Sequence, residues 1–188
     1  MPGKPKILAF AASARRGSFN RKFLAVAVEA ARAAGAEVTL LDLNEFEMPL
    51  YHGDLEEAQG IPLNAKRLIQ LIQEHPGLLI ASPEYNSMIT PLLKNTVDWC
   101  TRDDVNPFEG RVAAVISASP GPYGGVLSLR MAQLLLLGVG CQVLSGKCSL
   151  PRADKAFDPQ GKLTEANFLK AVTDLMQKLV QKLSGASA

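Results

Sequence analysis

The sequence is poor in the residues that build metal centres and disulfide frameworks. It has two histidines and three cysteines in 188 residues, and no two cysteines show the C-x-x-C spacing. A zinc site requires clustered Cys and His ligands, and a disulfide framework requires an even set of closely spaced cysteines. We therefore expect no metal site, and we expect Cys100, Cys141 and Cys148 to be free and mostly buried thiols.

Strong net charge and long apolar runs are missing as well. The formal net charge is +2, without the basic stripe that is typical of a nucleic-acid-binding protein. The longest strongly apolar stretch, residues 131–139, is far shorter than the roughly 20 residues of a membrane-spanning helix. The apolar run at residues 7–12 is shorter than the apolar region of a signal peptide, so no signal peptide is predicted. These absences predict a cytoplasmic protein that binds neither nucleic acid nor membranes.

The sequence does contain short apolar strands that alternate with helical patterns. Strands are predicted at residues 6–11, 37–42, 77–81, 111–117 and 142–144, and helices at residues 19–34, 62–74, 90–101, 124–138 and 165–183. The strands lack a strict apolar–polar alternation, which predicts a parallel sheet buried on both faces with right-handed crossovers. The length suits one α/β domain over residues 1–188, with flexible tails at 1–5 and 184–188.

The first loop, residues 13–20, follows the first predicted strand and is rich in groups that bind anions. Small residues allow the backbone to curl, and the next helix begins with free N–H groups. The polar side chains of this loop are those of Ser13, Arg15, Arg16, Ser18 and Asn20. Ser18 also suits a helix N-cap, so a capped helix with two solvated arginines remains an alternative. The dinucleotide pattern G-x-G-x-x-G and the P-loop pattern are both absent.

Two more loops follow the third and fourth strands. In the second loop, residues 83–88, Pro83 fixes the backbone, Tyr85 can flank a planar ring, and Asn86 can bond its polar edge. The small residues of the third loop, residues 117–125, allow a ligand to approach the backbone. A simple turn is the alternative for each. Ligands of open α/β sheets bind beyond the carboxyl ends of the strands, so we expect the loops to converge on a nucleotide site.

Together, the first and second loops resemble those of the NAD(P)H-dependent FMN reductases. This family has a flavodoxin-like fold and includes quinone, azo-dye and chromate reductases. Its phosphate-loop pattern, G-S-x-R-x-x-S-x-N, is matched by Ser13, Arg15, Ser18 and Asn20. Its P-E-Y-N pattern, followed by L-K-N-x-x-D-W, is matched by residues 83–86 and 93–99. The resemblance extends over about residues 6–183.

The resemblance implies a three-layer sandwich, a sheet of order 2-1-3-4-5, and FMN at the point where the strand order reverses. It implies that the phosphate is bound by Ser13, Arg15, Ser18, Asn20 and nearby amides, with Phe19 as a further cofactor-binding residue. It also implies that the isoalloxazine lies along Pro83, Glu84, Tyr85, Asn86 and Ser87, and that the site is closed by Ser119, Gly121 and Gly124. It further implies NADPH or NADH as co-substrate and a quinone, azo compound, metal oxyanion or free flavin as acceptor. The implied assembly is a homodimer or homotetramer.

Four positions depart from the family pattern. Ala12 replaces a glycine, and Met88 stands where Ser or Gly is common. Pro91 is shifted by one residue, and Leu127 occupies the position of a frequent arginine. Arg130, one helical turn further along the same face, is a candidate substitute for that arginine. These departures bear on substrate choice more than on FMN binding.

A flavin supplies the hydride chemistry itself, so no catalytic acid or base is assigned. Arg16 and residues 44–60 are candidate contacts for the nicotinamide cofactor or the acceptor. Two alternatives share the fold: a flavodoxin-type electron carrier and a flavin-binding regulatory module without turnover. Flavodoxins are usually acidic and lack the P-E-Y-N loop, whereas this chain has a pI near 8.4. A hydrolase is disfavoured, because no G-x-S-x-G elbow occurs.

Overall fold

Six parallel strands form the centre of the structure, a computed structural model that describes residues 3–185. The strands are β1 (Lys6–Ala11), β2 (Glu37–Leu41), β3 (Gly77–Ala81), β4 (Val112–Ala118), β5 (Gln142–Val143) and β6 (Ser149–Leu150). Their order is β2-β1-β3-β4-β5, and β6 also pairs with β4. This arrangement confirms the predicted flavodoxin-like sheet.

Helices cover both faces of the sheet and complete the three layers. They are α1 (Phe19–Ala33), α2 (Gly53–Gln59), α3 (Leu63–Glu74), α4 (Pro91–Cys100), α5 (Val126–Gly138) and α6 (Ala166–Gly185), with a short 3-10 helix at Leu43–Glu45. The core on one face contains buried residues of α1 and α6, and the core on the other contains those of α3, α4 and α5. Every residue of β3 and β4 is buried. Burial on both faces explains why these strands are apolar without alternation.

The edge of the sheet differs from the prediction. β5 pairs with Val112 and Ala113 at the start of β4, whereas β6 pairs with Ser117 and Ala118 at its end. The edge strand is therefore split, with residues 144–148 between its halves. β6 is only two residues long and precedes Pro151, so its apolar signal is too short to predict a strand. Its pairing places the segment after it beside the third loop.

Two other predicted segments have more helical structure than expected. The segment at residues 44–60 contains α2, and α6 continues two residues past the predicted end at residue 183. Ser184 lies in this last turn, where its hydroxyl donates to the carbonyl of Val180 at 2.9 Å. The first two residues of the predicted C-terminal tail are thus helical. Residues 1, 2 and 186–188 lie outside the described residues.

The three cysteines are free and buried, as predicted. Burial raises the pKa of Cys100, Cys141 and Cys148 to about 12 each, because the apolar surroundings disfavour the thiolate. Within residues 3–185 no group of three or more His, Cys, Asp or Glu side chains is placed to bind a metal ion. In the same range no helix combines the length and the apolar character that crossing a membrane requires.

Candidate functional site

The first loop joins β1 to α1 and leaves several of its hydrogen-bond donors free. Ser18 is the N-cap residue of α1, but its side chain caps no backbone N–H. Within the described chain, the N–H groups of Gly17 and Ser18 have no acceptor, and the Arg15 guanidinium has no partner. A helix N-terminus with free donors and a nearby cation suits a phosphate. The structure therefore favours the anion site over the capped helix.

The carbonyl side of the first loop is held by other side chains. Arg21 donates to the carbonyl of Ser13 through Nε at 3.3 Å and Nη2 at 3.2 Å. The same guanidinium forms a bidentate ion pair with Asp42, whose pKa it lowers. Asn44 donates to the carbonyl of Ala14 at 3.3 Å. These contacts fix the loop with the carbonyls of Ser13 and Ala14 engaged, while the N–H groups of Gly17 and Ser18 stay available.

Asn20 links the first loop to the third. Its side-chain amide donates to the carbonyl of Ala118 at 2.7 Å and accepts from the Ala118 N–H at 3.0 Å. Both polar ends of this buried side chain are thereby engaged by the backbone of β4. Asn20 thus joins two loops, and its contact with a phosphate stays a prediction.

The second loop is a tight turn that bonds to itself. Tyr85 and Met88 exchange two backbone hydrogen bonds, each 3.0 Å long. Between them, Asn86 and Ser87 have the left-handed φ values of 51° and 65° that a type I′ turn requires. The side chains of Tyr85 and Met88 are about half exposed, at 45% and 51%. The loop therefore presents an aromatic and a thioether side chain on a fixed backbone.

Glu84 ties the second loop to α5. Its carboxylate accepts hydrogen bonds from the N–H groups of Leu127 at 3.0 Å and Ser128 at 3.1 Å, in the first turn of that helix. The N-cap of α5 is Gly125, which has no side chain for this purpose. Ser128 donates in return to the carbonyl of Pro83 at 2.7 Å. Glu84 thus caps the N-terminus of α5. The sequence predicted only a contact between Glu84 and the ring, not this role.

Two glycines of the third loop, Gly124 and Gly125, are explained by close packing. A Cβ atom on Gly124 would lie 2.7 Å from the Leu150 carbonyl carbon, and one on Gly125 would collide with the hydroxyl oxygen of Ser117. Gly121 contributes a carbonyl that accepts from the Arg152 N–H at 3.2 Å. Gly121 and Gly124 therefore shape the loop that closes the site, and neither lines the groove between the loops.

The three loops meet in one groove at the carboxyl end of the sheet, as predicted. It is lined by Ser13, Arg15, Ser18, Phe19, Asn20, Pro83, Glu84, Tyr85, Ala118, Ser119 and Pro120. Nine of the thirteen predicted site residues are among these. Asn86, Ser87, Gly121 and Gly124 are not, and Ala118 and Pro120 are additions whose only sequence signal is their position beside Ser119.

The remaining candidates lie away from this lining. Arg16 is exposed and does not line the groove. Arg130, the candidate substitute for a missing arginine, donates to Gln133 at 3.1 Å on its own helix, and Leu127 is 51% exposed. Neither side chain lines the groove.

The segment at residues 44–60 is fixed to α4 by the L-K-N-x-x-D-W motif. Asn95 and Trp99 both donate to the carbonyl of Pro49, at 2.9 and 2.8 Å, and Asn95 accepts from the Tyr51 N–H at 2.7 Å. The Tyr51 and Trp99 rings pack edge to face at 5.1 Å. The motif therefore holds the long connection in place and makes no contribution to the groove lining.

The groove fits FMN in its chemistry. The free donors of the first loop and the Arg15 guanidinium suit the doubly charged phosphate. The exposed Tyr85 side chain, on a backbone that needs no ligand to hold it, suits one face of a planar ring.

Comparisons with known proteins agree with this chemistry. The sequence model of the NADPH-dependent FMN reductases matches residues 5–155. An NAD(P)H-dependent FMN reductase of Pseudomonas aeruginosa is 31% identical over 184 residues, covering 96% of this chain and 97% of that protein. An NAD(P)H:quinone oxidoreductase of Solanum tuberosum is 31% identical over 194 residues, covering 96% and 95%. FerB, a flavoenzyme NAD(P)H:(acceptor) oxidoreductase of Paracoccus denitrificans, superposes with a TM-score of 0.79 at 29% identity, over 95% of this chain and 98% of FerB. The chain belongs to the NADPH-dependent FMN reductase family.

Proposed function

We propose that the protein is an FMN-containing oxidoreductase that transfers electrons from NAD(P)H to a small-molecule acceptor. The observation that supports this most directly is the single groove in which the free donors of the first loop lie beside the exposed Tyr85. Within the family, a quinone, an azo compound, a metal oxyanion or free flavin is the acceptor class we propose. No protein acid or base is assigned to the reaction.

The residues of the groove bind and orient the cofactor in this proposal. Arg15, Ser13 and Ser18, with the N–H groups at the start of α1, bind the phosphate. Pro83, Tyr85 and the turn at Asn86 and Ser87 support one face of the isoalloxazine, while Ser119 closes the side of the groove. FMN supplies the hydride chemistry when it is bound. Phe19, Asn20, Glu84, Gly121 and Gly124 keep these groups in position.

Met88 is the side chain that we expect to influence the choice of acceptor. It follows the turn beside Tyr85 and is 51% exposed, so it adds an apolar, flexible surface next to the proposed ring position. An acceptor that approaches the open face of the flavin would contact it. Flat, apolar acceptors such as quinones fit such a surface better than a hydrated oxyanion does.

The proposal is tested by the flavin itself. The purified protein should be yellow, or should become yellow with added FMN, and NADPH added without oxygen should bleach the colour rapidly. Bound flavin that stays oxidised would instead support the electron carrier or the regulatory module. A colourless protein that does not bind FMN would contradict the whole site assignment. Repeating the reaction with NADH gives the preference between the two nucleotides.

We also propose a homodimer or homotetramer that functions in the cytoplasm. The outer face of α5 supports the assembly, since Leu127, Leu134 and Leu137 are each more than half exposed. Light scattering of the wild type and of a Leu134→Glu/Leu137→Glu variant tests this, and a wild-type protein that is monomeric would contradict it. The cytoplasmic location rests on NAD(P)H, which is supplied inside cells, and is tested by fractionation.

A further inference from the structure

A second cavity adjoins the third loop. It has a volume of about 390 Å³ and is lined by Pro122, Pro151, Arg152, Lys155, Ala156, Glu165 and Phe168. Ser119 and Pro120 line the flavin groove, and Pro122, two residues further along, lines this second space. The Arg152 cavity, as we call it, is therefore next to the proposed flavin site but does not include its phosphate loop.

Two cations in the Arg152 cavity have no partner. In the part of the chain that the structure describes, neither the Arg152 guanidinium nor the Lys155 ammonium has a hydrogen bond or an ion pair. Glu165 lines the same cavity but pairs with neither of them. Two unpaired cations with apolar walls at Pro122 and Phe168 fit a ligand that combines negative charge with a flat ring.

The backbone at Arg152 gives independent evidence that its side chain is used. Arg152 has a φ of 48°, and outside the turn of the second loop it is the one non-glycine residue with positive φ in residues 3–185. A side chain in this conformation costs roughly 1–2 kcal/mol, a penalty that glycine avoids. The conformation is imposed by neighbouring hydrogen bonds, from the Arg152 N–H to Gly121 and from the Ala153 N–H to the Ser119 carbonyl at 3.0 Å. Such strain is typical of functional positions.

We propose that the Arg152 cavity binds the ADP half of NAD(P)H, with the pyrophosphate on Arg152 and Lys155. This inference rests on the proposed function, which makes NAD(P)H the co-substrate and assigns the first loop to the phosphate of FMN. The adenine packs against Phe168 and Pro122, and Glu165 accepts a hydrogen bond from a ribose hydroxyl. The third loop then lies between the nucleotide tail and the flavin, so one rigid segment positions both.

The test is a titration of the FMN-loaded protein with ADP-ribose, which contains the ADP half but no nicotinamide. Loading with FMN fills the first loop, so calorimetry reports the second site alone. Arg152→Gly should weaken ADP-ribose binding about tenfold and raise the KM for both NADH and NADPH by a similar factor, because a charge-assisted hydrogen bond is lost. Its melting temperature should equal or exceed that of the wild type, since the backbone strain is relieved.

Two variants serve as controls. Arg152→Lys retains the positive charge and the strain, and a lysine binds phosphate as a point charge, so this variant should bind ADP-ribose within about threefold of the wild type. Lys66→Ala removes an exposed, unpaired cation on α3 and should leave binding unchanged. Arg152→Gly with wild-type affinity would overturn the proposal. Equal affinities for ADP-ribose and inorganic phosphate would also overturn it, because the cavity would then bind anions without preference for a nucleotide.

The binding of ADP-ribose is measured without turnover, so failure of this proposal can be distinguished from failure of the proposed function. One possible result is that ADP-ribose binding depends on Arg152 but NADPH does not reduce the bound flavin. This result would contradict the proposed reductase and still support the nucleotide site. Rapid bleaching with unchanged KM values in Arg152→Gly would support the reductase and reject the site.

Discussion

The first and second loops contribute to one groove, but they differ in how their hydrogen bonds are used. In the first loop the carbonyl groups are held by Arg21 and Asn44, and the donors at Gly17 and Ser18 are left free. The second loop bonds to itself and to α5, so almost nothing in its backbone depends on a ligand. In the proposed site the two loops therefore bind the cofactor differently: the free donors of the first loop bind the phosphate, and the prefolded second loop supports the ring.

The largest expected effect concerns Gly125 of the third loop, which begins the helix that the second loop is bonded to. Gly125→Ala combines a φ of 78° with a collision against Ser117, so we expect unfolding in urea to become easier by about 2–4 kcal/mol. Gly161 is a matched control, because its φ is 82° and no atom lies within 4 Å of the position that a Cβ atom would take. Gly161→Ala should cost only about 1 kcal/mol. Equal losses would show that backbone strain, and not packing, requires Gly125.

The second largest expected effect is on FMN binding by the first loop. Arg15 lines the groove and Arg16 does not, so Arg15→Ala should raise the Kd for FMN by about 10–100-fold while Arg16→Ala changes it less than about threefold. Fluorescence titration of the apoprotein measures both. Similar effects of the two substitutions would contradict the assignment of the phosphate to this side of the loop.

A comparison of two N-cap residues separates binding from stability. Thr90 caps α4 by accepting from the Leu93 N–H at 3.2 Å and donates to the Ala12 carbonyl at 2.9 Å, whereas Ser18 caps nothing. Thr90→Ala should therefore destabilise the apoprotein by about 1–2 kcal/mol. Ser18→Ala should leave apoprotein stability within about 0.5 kcal/mol and weaken FMN binding several-fold. A large loss of apoprotein stability in Ser18→Ala would restore the capping interpretation.

The smallest effect is expected at the ion pair that holds the first loop. Arg21 lowers the pKa of Asp42, so the pair stabilises the folded state above the unfolded pKa of about 3.9 and loses this effect as pH falls through the lower folded pKa. Asp42→Asn should be less stable than the wild type at pH 7 by up to about 1 kcal/mol, since the pair is partly exposed. The difference in stability should narrow as the pH falls, and urea unfolding at pH 7 and pH 3 measures it. A difference in stability that does not change with pH would show that the substitution acts through packing and not through the ion pair.

Much of the fold could be predicted from the sequence, because buried parallel strands are apolar runs and the two loop patterns resemble those of a family of known topology. The strand β6 could not be predicted, since two residues give no periodicity. Its position depends on a pairing with Ser117 and Ala118 that only the folded chain brings about.

For the groove, the sequence predicted most of the residues that line it but not the contacts that they make. A sequence shows which polar groups are available but not which acceptors lie within reach. Asn20 is engaged by a backbone 98 positions away, and Glu84 by a helix more than 40 positions away. Arg152 gave no signal at all, because an arginine in left-handed backbone conformation looks like any other surface arginine in the sequence.

The three buried cysteines have a consequence for a protein that is proposed to handle quinones. Quinones are electrophiles that alkylate thiolates, and a thiol whose pKa is about 12 is ionised in only roughly one molecule in 10⁵ at neutral pH. Burial also keeps Cys100, Cys141 and Cys148 out of reach of a molecule in the groove. Alkylation of these three cysteines by a quinone in the proposed flavin groove is therefore disfavoured.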